Sequence, residues 1–328
     1  MQIAVIGLGS MGKRRIRLLK RFEEVDFIVG IDSREDRRNE VNSLYSCVTF
    51  ESLNQALDKY PEISTVFVCT SPLSHHLIIN DALEKGLNVF SELNLVQDGY
   101  EENIKLAKEK GLTLFMSSTF LYREEIKYII KKFSNTPGLN YIYHVGQYLP
   151  DWHTWETYNE FFVSNSRTNG CRELMAIELP WILKTFGNVA KFQVVADKIS
   201  DLKVDYKDNY CIQFCHENGN KGIVIIDVVS PKAVRNLEVF GQDKYLSWAG
   251  SPEFLEEYDP VRKQTGKVIL AETVVHQEGY RAFITENAYF NEIQEFFDAL
   301  NHNKVPEYGF EQDRKVLNLI NQIEGIYE

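Results

Sequence analysis

The chain contains no apolar run approaching the ~20 residues that a membrane-spanning helix needs. Its N-terminus is apolar only as far as Gly7, and the cations Lys13-Arg14-Arg15 follow that stretch, the reverse of a secretory leader. Basic residues are outnumbered: 36 Lys and Arg stand against 47 Asp and Glu, a formal charge of −11. A phosphate backbone needs a basic face, so nucleic acid is excluded as the main partner. Cysteine is scarce and unpatterned. The five (47, 69, 171, 211 and 215) form no Cys-x-x-Cys pair, which argues against a disulfide framework and for a reducing compartment, the cytoplasm. Cys211 and Cys215, four apart in a strand-like run, read as small buried or half-buried residues. Internal repeats, low-complexity segments and Pro- or Ser-rich linkers are absent as well.

The chain has 328 residues, 44% hydrophobic and 12% aromatic, enough for a sizeable core and too many for one ordinary domain. Two domains are expected. "QIAVIG" (2–7), "DFIVGID" (26–32), "STVFVCT" (64–70), "LNVFSE" (87–92) and "LTLFMSS" (112–118) read as short buried strands. Helical periods lie between them at 10–22, 74–86 and 100–111, the last two ending on Gly86 and Gly111. This alternation specifies a doubly wound parallel sheet. From about residue 140 the pattern changes to longer strands at 139–149, 189–199, 205–217, 220–230 and 233–243. Asn-Gly-type turns punctuate them, most visibly in "HENGNKG". With helices at 172–187, 285–302 and 311–327, that half reads as an α+β domain on an antiparallel sheet, with a cleft between the two domains.

"GLGSMG" (7–12) follows the first strand and opens the first helix, the context that Gly-x-Gly-x-x-Gly requires. Gly7 permits the tight turn, Gly9 lets the backbone approach a pyrophosphate, and Gly12 lets helix and strand pack closely. Ser10 and Met11 complete the loop. Asp32, twenty residues past Gly12, can take both adenosine ribose hydroxyls, which favours NAD; Arg34 leaves NADP possible by offering a cation to a 2′-phosphate. Lys13, Arg14 and Arg15 read either as a solvated basic face or as cations tolerated beside a bound anion.

Together with these, "VFVCTSPLSHHLIINDALEKGLNVFSE", "YLPDW", "NGCRELMAIELPWILKTFG", "LEVFGQD" and "AYFNEIQEFFDAL" resemble, in order along the chain, the glucose–fructose oxidoreductase / inositol dehydrogenase (Gfo/Idh/MocA) family. The resemblance implies an NAD(P)-binding Rossmann domain at 1–120 and an α+β domain at 121–328. The second domain binds substrate, and its open sheet forms a homodimer or homotetramer. It also implies hydride transfer at a hydroxyl or keto carbon of a sugar, cyclitol or nucleotide sugar. Thr70 and Ser71 then match the loop after the fourth Rossmann strand, His75 a histidine common there, and Glu92 the glutamate of the family's Glu-Lys-Pro, near the nicotinamide ribose. Adjacent histidines on a helix do not face one site, so His75-His76 is no metal pair, and no metal is expected.

The departures lie at the acid–base residues. Glu-Lys-Pro reads Glu92-Leu93-Asn94, so the family's lysine is Leu93. Its partners, an aspartate and a histidine four apart on one helix, align with Glu173 and Ile177. The candidates for proton transfer are then Glu173, His153 and Tyr148. Arg172 suits an anionic substrate group, and Trp152 a stacked ring or loop packing. Some members of the wider family lack the lysine too. Two readings remain: an active oxidoreductase with substitute acid–base residues, and a non-catalytic NAD(H)- and sugar-binding regulatory protein.

Overall fold

The computed structural model describes residues 1–152, 157–271, 275, 285–302 and 304–326. The chain divides into two compact units, Met1–Ser118 with Tyr289–Asn318, and Thr119–Ala288 with Leu319–Glu328. Among the described residues no helix is long and apolar enough to cross a membrane.

In the first unit strands and helices alternate as β1 (Gln2–Ile6), α1 (Ser10–Leu19), β2 (Phe27–Ile31), α2 (Glu35–Tyr45), β3 (Val48–Phe50), α3 (Leu53–Lys59), β4 (Ile63–Val68), α4 (His75–Glu84), β5 (Asn88–Ser91), α5 (Tyr100–Lys110) and β6 (Leu114–Met116). The strands form one parallel sheet in the order β3-β2-β1-β4-β5-β6, the doubly wound Rossmann arrangement. Strands of such a sheet are covered on both faces, which is why they read as unbroken Val/Ile/Phe runs. Phe67, Phe90 and Phe115 stand in register across β4, β5 and β6, stacked at 4.5 and 5.1 Å. Phe296 meets all three edge-on at 5.3 to 5.6 Å. Such pairs add to plain area burial because ring edges carry the opposite partial charge to ring faces.

The second unit runs α6 (Glu124–Phe133), β7 (Asn140–Gly146), α7 (Gly170–Phe186), β8 (Val189–Asp197), β9 (Asn209–His216), β10 (Lys221–Asp227), β11 (Val234–Gly241), β12 (Lys244–Trp248), β13 (Leu255–Asp259) and β14 (Gln264–Lys267). Its sheet has the order β14-β13-β12-β11-β7-β10-β9-β8 and is antiparallel except for the β7–β10 pair. The Asn-Gly turn joins β9 to β10 with Gly219 at φ +89°. Alternation assigns the faces: Tyr210, Ile212 and Phe214 of β9 are buried, while Gln213 is exposed. Cys211, expected buried or half-buried, is exposed for the same reason; Cys215 is half-buried. α7 packs on the inner face, where Phe186 stacks on Tyr141 at 3.9 Å and Trp181 meets Tyr143 at 5.3 Å. Then come α8 (Glu286–His302) and α9 (Phe310–Glu324).

The expected fold class holds: a Rossmann α/β unit and an α+β unit on an open, mainly antiparallel sheet. Elements beyond the sequence analysis include α6, whose Ile126, Ile129 and Phe133 are buried at helical spacing, and several weakly patterned ones. β3 has three half-buried residues, α2 buries only Val41, and β14 is exposed throughout.

Candidate functional site

The glycine loop separates what the fold needs from what it does not. Gly7 sits at φ +92°, and a Cβ there would lie 2.7 Å from the Cys69 carbonyl oxygen. A Cβ on Gly12 would lie 1.9 Å from the Gly7 carbonyl oxygen. Gly9 has an ordinary φ of −72°, and the nearest atom its Cβ would meet is Arg37 Nη1 at 3.8 Å. Nothing in the chain demands a glycine at 9. The open space lies at the N-terminus of α1, where Ser10 and Met11 begin the helix and backbone N–H groups favour an anion. The residues present fit a dinucleotide pyrophosphate.

Asp32 follows β2 and is buried. Its Oδ2 accepts from Leu8 N at 2.8 Å and its Oδ1 from Arg34 N at 2.9 Å, which ties the end of β2 to the glycine loop. The Arg34 guanidinium pairs with Asp36, at 2.6 Å from Nη2. Two cations the sequence analysis passed over lie beside Asp32: Arg37, its Nη1 3.7 Å from Oδ2, and Arg38, whose Nη1 donates to the Asp32 carbonyl at 2.7 Å.

The solvated basic face does not hold for Arg14 and Arg15, because both are buried. Arg14 lies over the Tyr289 ring at 4.3 Å, and Lys13 alone pairs at the surface, with Glu40 at 2.7 Å. Arg15 Nε donates to Glu92 Oε1 at 2.5 Å and Nη2 to Glu292 Oε2 at 2.6 Å. The signal was present in the sequence: Gly12, Arg15, Ile16 and Leu19 share one helical face, and the other three are core residues.

The loops after β4 and β5 are joined through His75. The ring is buried, which lowers its pKa. Its Nε2 lies 2.9 Å from the Thr70 carbonyl oxygen and its Nδ1 meets Asn94 Oδ1, so the ring bridges the two loops. Thr70 Oγ1 accepts from Ser74 Oγ at 2.9 Å; Ser71 is exposed, its carbonyl accepting from Ser74 N at 3.0 Å. Between the buried Glu92 and Asn94, Leu93 is half-buried.

In the second unit, every residue of α7 from Gly170 to Ile182 is buried except Glu173 and Ile177. These two, one turn apart, are the pair that the sequence aligns with the family's aspartate and histidine. Glu173 Oε2 is sealed from solvent with no hydrogen-bond partner, and burial pushes the carboxyl pKa up to about 8. Arg172 is engaged within its own unit: its guanidinium pairs with Glu324, and Nη2 donates to Asn321 Oδ1 at 2.7 Å. Trp152 donates from Nε1 to the Gln147 carbonyl at 3.3 Å, and its ring lies against Gly170, where a Cβ would come within 3.5 Å. Tyr148 is 37% exposed. His153 lies outside the described residues. Among the described residues no group of three or more His, Cys, Asp or Glu could hold a metal ion.

A Gly-x-Gly-x-x-Gly turn at the switch point of a 3-2-1-4-5-6 sheet, with a carboxylate ending β2, defines a dinucleotide-binding Rossmann protein. Residues 1–118 match the model of the Gfo/Idh/MocA oxidoreductase family, NAD-binding Rossmann fold. No curated protein matches the chain in sequence. Solved structures share the fold over nearly its whole length. UDP-N-acetylglucosamine 3-dehydrogenase GnnA from Acidithiobacillus ferrooxidans is 18% identical with a TM-score of 0.76, covering 99% of this chain and 97% of that one. An oxidoreductase from Agrobacterium radiobacter, in complex with NAD+, L-tartaric acid and magnesium, is 13% identical with a TM-score of 0.80, covering 99% and 96%. Biliverdin reductase from Synechocystis sp. PCC 6803, with biliverdin and NADP+, is 16% identical with a TM-score of 0.74, covering 99% and 98%.

Proposed function

We propose that this protein is a cytoplasmic NAD(P)-dependent oxidoreductase acting on a hydroxyl or keto carbon of a sugar, cyclitol or nucleotide sugar, with Glu173 as its acid–base group. The bound nicotinamide supplies or takes up the hydride. Glu173 exchanges the matching proton with the substrate oxygen: protonated, it donates as a carbonyl is reduced; ionised, it accepts as an alcohol is oxidised. The observation that carries this reading is the unpartnered Glu173 carboxyl on the one half-exposed stripe of the first turns of α7, with a pKa poised near neutral pH. Leu93 and Ile177 have no proton to exchange. Tyr148 and His153 are the remaining candidates for that role. The fold shared with a UDP-N-acetylglucosamine 3-dehydrogenase supports a nucleotide-sugar substrate.

The cofactor half of the reading has its own test. Gly9→Val adds a side chain where the chain itself offers open space, so the variant keeps the wild-type melting temperature and loses NADH binding in calorimetry. Unchanged NADH and NADPH affinity would overturn the assignment of the glycine loop. The second reading, a sugar- and NAD(H)-binding protein without turnover, draws on Leu93 and Ile177, apolar where the family's acid–base partners stand.

A further inference from the structure

Three charged side chains are packed together inside the first unit, and the dinucleotide reading has assigned only one of them. Arg15 is fully buried. Its Nε holds Glu92 Oε1 at 2.5 Å, and its Nη2 holds Glu292 Oε2 at 2.6 Å. Glu292, also fully buried, accepts at Oε1 from Ser117 Oγ at 2.9 Å and from Ser118 N at 2.7 Å. The Phe90 ring lies 4.5 Å from the guanidinium carbon. Burial works against the charge on Arg15, but the two carboxylates outweigh it and raise the pKa, so the guanidinium stays ionised.

An arrangement of this kind is poor value as a stabiliser. Desolvating two carboxylates and a guanidinium offsets most of their attraction, and well-packed apolar residues of similar volume often do as well. What it does supply is direction. A carboxylate has two oxygens, and here one oxygen of Glu92 is fixed by Arg15. The other, Oε2, makes no hydrogen bond among the described residues. Glu92 directly follows β5, at the carboxyl end of the sheet and on the β4–β5–β6 side of the switch point. In this topology that side takes the second mononucleotide half, the nicotinamide half. Two residues on, Asn94 is fixed from the other side by His75, so the backbone of 92–94 is anchored at both ends.

We propose that Arg15, backed by Glu292, is a positioning residue that holds Glu92 with its Oε2 turned to accept a hydroxyl of the nicotinamide ribose. The inference rests on the dinucleotide reading of the glycine loop and adds a division of labour. Asp32 serves the adenosine half, and the Arg15–Glu92–Glu292 cluster serves the nicotinamide half.

The test is calorimetry of the full-length protein with two probes, NADH and ADP, the second lacking the nicotinamide half. Arg15→Lys cannot reach both carboxylates, and Glu292→Gln loosens the cluster more gently should the first variant fold poorly. Each variant weakens NADH about tenfold, the worth of an oriented charge-assisted hydrogen bond, while ADP affinity stays at the wild-type value. In a Glu92→Gln background neither substitution weakens NADH further, because both act through Glu92. Equal losses for NADH and ADP, or the same loss with and without Glu92, would mean that the cluster merely braces the fold, and would overturn the proposal. Failure of Gly9→Val to abolish binding would instead sink the dinucleotide reading beneath it.

Discussion

Glu173 shows how a single side chain can be read from the sequence in position and not in state. Counting back from Phe186-Gly187 places it one turn before Ile177, and α7 does present these two residues on one stripe. That its carboxyl has no partner, and that burial lifts its pKa to about 8, depends on what packs around the helix, which no local pattern carries. The consequence for stability has a definite sign. The folded protein keeps this proton up to about pH 8, whereas the unfolded chain loses it near pH ~4.3. Unfolding therefore becomes easier as pH rises through that window, and the loss is complete above the folded value. Glu173→Gln removes this part of the slope. Denaturant midpoints measured at about pH 5 and about pH 8 check it, and a wild-type difference that the variant fully retains would rule the carboxyl out as its source. Arg15 is the converse case. Three successive cations look like a solvated face, yet the helical period puts Arg15 among core positions, and two carboxylates distant in sequence, Glu92 and Glu292, make its burial tolerable.

At the scale of elements, period and punctuation were reliable where burial is one-sided or complete. β1, β2, β4 and β5 are apolar runs because helices cover both faces of a parallel sheet, and β9 alternates because one of its faces is open. The strands that escaped, β3, β12, β13 and β14, are short, and their place comes from pairing with neighbours rather than from their own pattern; α2, α3 and α6 escaped as well, α6 despite buried Ile126, Ile129 and Phe133 at helical spacing. α7 matters most for function, and its first turn is set by a cap. Asn169 Oδ1 accepts from Arg172 N at 2.7 Å, and Asn169 Nδ2 donates to Glu324 Oε1 at 2.7 Å. Gly170 follows because a Cβ would lie 2.9 Å from Val228 Cγ1. Asn169→Ala removes the cap and costs about 1 kcal/mol of stability, measurable by denaturant titration. An unchanged midpoint would show that Glu324 and Arg172 hold the turn without it.

For the molecule as a whole, the outer face of the second sheet is where assembly would be decided. Ile142 and Ile223 are register partners on β7 and β10, 42% and 45% exposed, and Val195 on β8 is 69% exposed. Apolar side chains exposed on an open sheet suit an isologous contact with a second copy, and we propose a homodimer or homotetramer through this face. Light scattering of the Ile142→Asp/Ile223→Asp double variant should give a monomer mass where the wild type gives a multiple. A wild-type monomer at micromolar concentration would remove the proposal.

The central claim, hydride chemistry with Glu173 in place of the lysine-centred set, is tested most directly by following NADH absorbance across a panel of sugars and nucleotide sugars. The account predicts turnover with one member of the panel. It also predicts that Glu173→Gln lowers that turnover roughly 10²–10⁴-fold, the usual worth of a general acid or base, while NADH affinity by calorimetry stays unchanged. Full activity in Glu173→Gln would contradict the assignment of the acid–base group. No absorbance change with any substrate, from a protein that binds NADH, would contradict the enzyme itself and leave the binding protein in its place.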